Sequence, residues 1–584
     1  MPSELKEKLL LAGLMLLTAP IAIINAQEQS VRWQFNASMA MRDGVILASN
    51  VYLPKAEGKY PVILIRTPYG KSGEHDNALF FAERGYAVVA QDTRGRSDSD
   101  GVWYAFRNEA ADGYDSIEWA ARQPWSNGKV VTMGASYLGM DQWLAATGLN
   151  PHLAAMVVRV SPADLYSEVA HPGGSLGTMV WSVAMGRRNL LRKELSLIPW
   201  DKVFRHLPVE EAAAMAGNDS PFLRDWINHP ARDEYWRAMS WRHIYAKLNV
   251  PVFHSGGWFD TFQKGTIENF QKMISEAPAG ARAAQRLVVG PWIHGDLGGP
   301  SPSAKERFGP QSVMELRAKE LRWLDHYVRG IKNGADADPQ VDYFVMGANQ
   351  WKSEMAWPPA DSTTVHYYLR GQGKANSLDG DGALSLRAPA NEPSDQFDYD
   401  PANPVPTDGE GKCCSENIPA GPRDQRAVER RRDVLVYSTP PLEKNVEVSG
   451  PIKVHLYAAT SARDTDWTAK LVDVSPDGFA MNLTDGLLRA RYRQSFEKQE
   501  LLEPGRVYEF VIDLGHTSNV FLKGHRIRLE ISSSNFPRHS RNTNTGNNPE
   551  KDANYLVARQ TIFHSRANAS FLVLPVKPEG AAKP

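Results

Sequence analysis

The sequence predicts an α/β domain followed by an all-β region, on three observations. Up to about residue 350, short Val/Ile/Leu runs alternate with helical patterns. Beyond it, segments alternate polar and apolar residues in period two between turn formers. Between about 163 and 248 the strand rhythm stops, and the chain carries helical patterns rich in tryptophan. A chain of 584 residues is longer than one hydrophobic core serves, so about two to four domains are expected.

The N-terminus reads as an export signal over residues 1–26. Lys6 and Lys8 precede an apolar run from Leu9 to Ile24, and Ile24-Asn25-Ala26 offers a small-residue cleavage site. Glu4 and Glu7 dilute the positive region. Pro20 interrupts the run, and a membrane span needs about 20 apolar residues. Cleavage, with the mature chain periplasmic or extracellular, is the expectation; an uncleaved anchor is the alternative. No cysteine stands nearby to carry a lipid. The chain's 2 cysteines, Cys413 and Cys414, are adjacent. They allow a strained vicinal disulfide or two free thiols, and both readings stay open. Two thiols fall short of a structural zinc site.

Residues 27–162 and 249–349 form the α/β part. "VILASNVYLP", "YPVILIRTP", "YAVVAQDTRG", "KVVTMGA", "LAAMVVRVS", "NVPVFHSGG" and "QRLVVGPW" are continuous apolar runs, as strands covered on both faces require. "NALFFAERG" and "EAADGYDSIEWAARQ" are interleaved helices, so a mostly parallel sheet is expected. Residues 163–248 read as a helical insertion, with Trp181, Trp200, Trp226, Trp236 and Trp241 packing a core or lining a cleft. Residues 350–577, with "TVHYYLRG", "DVLVYSTP", "IKVHLYAAT", "WTAKLVDVS", "RVYEFVIDL" and "HRIRLEIS", read as a β-sandwich or jelly roll. The Pro/Asn/Asp-rich stretch from about 388 to 430 is expected to be a surface excursion. Formal net charge is -1 and no basic stripe stands out, which argues against nucleic acid and anionic membrane partners. The oligomeric state is not specified, and a homo-oligomer is open.

"MGASYLG" carries the chemistry. A serine between small residues, where a strand turns into a helix, is poor packing material but exposes a hydroxyl, as in the nucleophile elbow of α/β-hydrolases. The usual elbow is G-x-S-x-G, whereas Leu138 holds the fifth position and Gly139 the sixth. A packed turn is therefore the competing reading of Ser136. The partners should follow in the order acid, then histidine, each after a later strand. Asp260 in "GGWFD" and His294 in "GPWIHG" fit that order. His294 would serve as general base and Asp260 would orient it. Taken singly, both are ordinary loop residues, and His254 is an alternative base.

The sequence resembles the serine hydrolases that include bacterial cocaine esterase, α-amino-acid ester hydrolase, glutaryl-cephalosporin acylase and the catalytic part of Xaa-Pro dipeptidyl-peptidase. The resemblance runs through "RTPYGK" (66–71), "QDTRGR" (91–96), "QPWSNGKV" (123–130), "GASYLG" (134–139), "GGWFD" (256–260), "GPWIHG" (290–295), "DTDWTAKLVDVSPDG" (464–478) and "LRARYR" (488–493). That family's elbow is G-x-S-Y-x-G, which accommodates Leu138. The resemblance implies an α/β-hydrolase catalytic domain, a helical cap and a C-terminal jelly roll, with the triad Ser136, Asp260 and His294. It also implies an oxyanion hole made by the hydroxyl of Tyr69 and the backbone N–H of Tyr137. Without it, Tyr69 reads as a packing residue.

The expected reaction is hydrolysis of a small-molecule carboxylic ester, or an activated amide, without metal or cofactor. Xaa-Pro-type peptidase or acylase activity is the alternative on the same triad. The family's amino-acid ester hydrolases hold the substrate ammonium with carboxylates just after the catalytic aspartate. Here Thr261, Phe262 and Gln263 follow instead, which argues against free α-amino acyl groups. "SLDGDGALS" (377–385) resembles a calcium loop but has Ser377 first and Ala388 at the twelfth place, so a β-turn is expected. A carbohydrate-binding role for the jelly roll is the non-enzymatic alternative.

Overall fold

The structure, a computed structural model, describes residues 30–189, 192–299, 307–409 and 419–578. The expected export signal (1–26) and the pair Cys413 and Cys414 lie outside the described residues. Among the described residues, no helix is long and apolar enough to cross a membrane.

The first sheet contains β1 (Val31–Ala40), β2 (Ile46–Pro54), β3 (Tyr60–Thr67), β4 (Ala87–Asp92), β5 (Ser126–Ala135), β6 (Leu153–Arg159), β7 (Val252–Phe259), β8 (Arg286–Ile293), β9 (Val341–Val345) and β10 (Gln350–Glu354). Their order is β1-β2-β4-β3-β5-β6-β7-β8-β9-β10. From β4 to β9 all neighbours are parallel, while β1, β2 and β10 pair antiparallel at the two edges. Every residue of β4 and of β7 is buried, as the continuous apolar runs require. Helices α1 (His75–Ala82), α2 (Glu109–Ala121), α3 (Tyr137–Ala146), α4 (Met179–Ala184), α5 (Trp200–Arg205), α6 (Pro221–Asn228), α7 (Gln263–Glu276) and α8 (Leu316–Tyr327) follow in chain order. Of these, α4, α5 and α6 lie in the excursion between β6 and β7, where all five tryptophans are buried.

From β3 the chain moves to β4 on one side and then to β5 on the other. Such a reversal opens a crevice beyond the carboxyl ends of the strands, where open α/β sheets bind ligands. Tyr69, Ser136, Asp260 and His294 all stand just past those ends, after β3, β5, β7 and β8.

The second sheet comprises β11 (Thr363–Arg370), β12 (Ala383–Ser385), β13 (Asp395–Tyr399), β14 (Leu435–Ser438), β15 (Val446–Thr460), β16 (Asp466–Val474), β17 (Ala480–Arg489), β18 (Tyr508–Phe521), β19 (Arg526–Ser532), β20 (Ala558–Ile562) and β21 (Phe571–Val576). It is antiparallel apart from a single β12–β14 contact. The sheet curls so that β17 returns against β18, itself paired with β15, around an interior including Val454, Leu471, Leu483 and Ile512. The two sheets are joined edgewise: Met346 N donates to Ser518 O at 3.0 Å and Val520 N donates to Met346 O at 2.8 Å.

Two expectations are corrected. The first sheet continues past the 349/350 boundary, because Gln350–Glu354 pairs antiparallel with β9. The stretch 388–430 is not only a surface excursion: β13 pairs with β20 and buries Phe397 and Tyr399, while Gln425 and Glu429 are buried. The segment 377–385 forms a turn in which Asp381 accepts backbone N–H bonds from Gln372 and Lys374.

Candidate active site

The turn after β5 is shaped by its small residues. Ser136 has φ 61 and ψ -120, a conformation that costs a non-glycine residue about 1–3 kcal/mol. A Cβ on Gly134 would lie 2.3 Å from Leu138 Cβ, and one on Gly139 would lie 2.9 Å from Ser161 Cβ. The glycine is therefore needed at the sixth position, where α3 crosses the end of β6. Leu138 at the fifth meets no such limit. Tyr137 opens α3, so its N–H has no acceptor within the helix.

Asp260 and His294 meet because β7 and β8 converge at their ends. A Cβ on Gly257 would lie 2.1 Å from Trp292 O, and a register shift falls between Gly257 and Phe259. His294 Nδ1 lies 2.7 Å from Asp260 Oδ2, and His294 Nε2 lies 2.9 Å from Ser136 Oγ. The carboxylate can only accept, so Nδ1 carries the hydrogen and Nε2 presents its lone pair to the serine. Phe262 N donates to Asp260 Oδ1 at 2.6 Å, leaving an aspartate 5% exposed with both oxygens engaged. His254 is built into β7, bonded to Gln285 at 3.1 Å, and burial depresses it to about 4.

Tyr69 is 41% exposed, yet its hydroxyl is desolvated enough to push its pKa up to about 12, against the hydrogen bond from Trp181. Trp181 Nε1 donates to it at 2.9 Å. The loop carrying Tyr69 is locked to the loop after β4. Lys71 Nζ pairs with Asp92 at 2.8 Å, and Arg96 Nε donates to Pro68 O at 2.8 Å. Arg96 is 1% exposed, bonds backbone carbonyls and a sulfur, and desolvation lowers it to about 10. The motifs at 66–71 and 91–96 are thus two halves of one clamp. Beneath it, Tyr137 donates its hydroxyl to Glu109 at 2.7 Å, and Glu109 pairs with Arg66 at 2.7 Å.

A cavity of about 150 Å³ opens beside Asp260 and Thr261. Its walls come from the excursion between β6 and β7 (Glu168, Thr178), from α7 (Lys264) and from the second sheet and its loops (Asp485, Asp513, Arg538). Lys264 pairs with Asp513, and Arg538 pairs with Asp485. Burial, with the nearby Glu268 charge, raises Glu168 to about 8. Sequence reasoning misses Glu168 and the bond from Trp181 to Tyr69, though it offers Trp181 as a packing or cleft-lining residue and the family resemblance implies an active site where the three parts meet. Glu168 and Trp181 are helical-pattern residues remote in sequence from the elbow, so local spacing carries no signal for them. Among the described residues, no cluster of three or more His, Cys, Asp or Glu is arranged to hold a metal ion.

The strand order and this serine elbow define the chain as a serine hydrolase of the α/β-hydrolase class. Residues 43–296 match the family described as X-Pro dipeptidyl-peptidase (S15 family), and residues 333–573 match the X-Pro dipeptidyl-peptidase C-terminal non-catalytic domain. Cocaine esterase of Rhodococcus sp. (strain MB1 Bresler) is 38% identical over 571 residues, covering 93% of this chain and 98% of that one. Among solved structures, an aminopeptidase from the marine sediment archaeon Thaumarchaeota archaeon superposes with a TM-score of 0.80 at 26% identity, covering 94% of this chain and 97% of that one. An α-amino acid ester hydrolase gives 0.79 at 25% identity, covering 96% and 100%. The chain belongs to this family of S15-type serine hydrolases, which contains both esterases and peptidases.

Proposed function

We propose that the protein hydrolyses carboxylic esters of small molecules through an acyl-enzyme on Ser136. The observation that carries this reading is the continuous relay from Ser136 Oγ to His294 at 2.9 Å and on to Asp260 at 2.7 Å. Ser136 Oγ attacks the ester carbonyl as His294 Nε2 takes its proton, and Asp260 stabilises the imidazolium. Negative charge gathers on the former carbonyl oxygen, where the Tyr69 hydroxyl and the Tyr137 N–H donate. The alkoxide departs with the proton from His294. Water then enters, gives its proton to the same nitrogen, and releases the acid.

The cavity supports an uncharged ester over a substrate with a free ammonium. Its two cations are paired with two of its carboxylates, and burial raises Glu168 to about 8. An ammonium would find two of the wall's carboxylates already taken, and burying it without a counter-charge is costly. We further propose that the chain is exported and cleaved after Ala26; N-terminal sequencing of the mature protein from the native cell checks this.

The test is a panel of p-nitrophenyl esters and of aminoacyl and Xaa-Pro anilides, run on the wild type and on Ser136→Ala. Ester turnover that disappears with Ser136, together with fluorophosphonate labelling of that residue, is the expected result. Faster cleavage of Xaa-Pro anilides than of any ester would sink the substrate assignment while sparing the triad.

A further inference from the structure

We infer that Trp181, carried by the excursion between β6 and β7, is a positioning residue that aims the hydroxyl of Tyr69 at the developing oxyanion. The inference rests on the ester-hydrolase reading above. An indole N–H donates and never accepts, so the 2.9 Å contact makes the Tyr69 oxygen the acceptor. A phenol has one hydrogen. With Trp181 occupying a lone pair, that hydrogen must point elsewhere, and the Tyr69 ring stands edgewise to Tyr137, the residue after the serine, with centroids 6.4 Å apart. Donation into the phenol oxygen also polarises its O–H bond, which strengthens it as a donor.

The indole is well suited to hold a direction. It is 9% exposed and packs in a triangle with Phe106 and Trp226, with ring centroids 6.0 Å and 6.2 Å away and interplanar angles of 14° and 10°. Trp103 and Phe222 close on it edgewise. Its helix α4 starts from Thr178, whose hydroxyl donates to Val169 O at 2.8 Å. On the other side the backbone at Tyr69 is held through Arg96 and Pro68. One oxyanion donor is thus fixed by the sheet and the other by a side chain outside it.

A double-mutant cycle tests this, using Trp181→Phe, Tyr69→Phe, the double variant and the wild type. A p-nitrophenyl ester is the substrate, and rates are taken per site titrated with fluorophosphonate, so unfolded molecules do not count. Trp181→Phe keeps an aromatic ring and removes the N–H. It should lower kcat by about 5- to 10-fold with KM within about twofold, and should cost nothing further when Tyr69 is already Phe. The same loss in both backgrounds would overturn the inference and leave Trp181 as packing; a rise in KM with kcat unchanged would overturn it in favour of substrate contact. If Tyr69→Phe alone leaves kcat intact while Ser136→Ala is inactive, the oxyanion assignment falls and the inference with it. Turnover that survives Ser136→Ala sinks the parent reading instead. Should Trp181→Phe fail to fold, the cycle is run with Trp181→Tyr, and a coupling factor near one overturns the inference equally.

Discussion

Two polar regions of this molecule are equally conspicuous as sequence motifs and opposite in construction. At the end of the first sheet, the chain from Asp260 through His294 ends on a half-buried serine hydroxyl. In the second sheet, "DTDWTAK" and "LRARYR" meet as a closed ionic knot. Arg489 bonds Asp466 at 2.9 Å and Glu550 at 2.9 Å, Arg491 bonds Asp464 at 2.8 Å, and Asn542 bridges both aspartates at 2.7 and 2.8 Å. The first leaves a reactive group open to a ligand. The second satisfies its charges internally, and through Glu550, whose backbone O accepts from Glu210 N at 2.9 Å, it fastens the excursion between β6 and β7 to the second sheet. A strongly marked polar motif can therefore mean reaction or fastening, and what separates them is whether an end is left free.

Four substitutions would break or sharpen that contrast. Ser136→Ala should abolish ester turnover, a loss on the order of 10⁴-fold or more, with thermal unfolding nearly unchanged because the serine turn is strained rather than supportive. Arg489→Ala should do the reverse. Removing the cation leaves Asp466 and Glu550 buried without it, costing about 3–5 kcal/mol by urea denaturation, while turnover per fluorophosphonate-titrated site holds. If turnover per site falls with stability, the knot is part of the reaction and the contrast fails. Tyr69→Phe should lower kcat by roughly 10²–10³-fold with KM nearly constant, and a large KM effect would move Tyr69 from oxyanion donor to substrate binding.

The smallest effect is expected at Glu168, a group belonging to neither region. Its folded pKa of about 8 lies above the ordinary glutamate value, so between the two the folded state holds a proton that the unfolded state has lost. Stability from this group is complete below the unfolded value and drains away as pH rises toward 8. Relative to Glu168→Gln, the wild type should lose about 1 kcal/mol between pH 6 and pH 7. Parallel stability curves for the two proteins would remove Glu168 from its buried, protonated state.

The interior strands and the order serine, aspartate, histidine were legible because they are local. A strand covered on both faces writes a continuous apolar run, and each triad residue follows its own strand. The strands β1, β9 and β10 carry no such signal: β1 and β10 are edge strands with exposed residues, five successive ones in β1, while β9 is buried but short and interrupted by Asp342. The curling of the second sheet, the Trp181 bond to Tyr69 and the gathering of Glu168, Lys264 and Arg538 around one cavity depend on contacts between distant segments. No spacing rule reaches them. The resemblance to a known family reached Tyr69, which the residues alone would leave as packing.

The cavity wall has a consequence for the order in which the protein becomes competent. Ser136 is laid down early, but its base lies beyond residue 290 and the last wall segment, at Pro537–His539, is synthesised near the end. A partly made polypeptide holds a lone, unactivated hydroxyl and cannot attack anything. Reactivity awaits the histidine, so any fragment ending before His294 should be inert toward the same covalent probe that marks the whole enzyme.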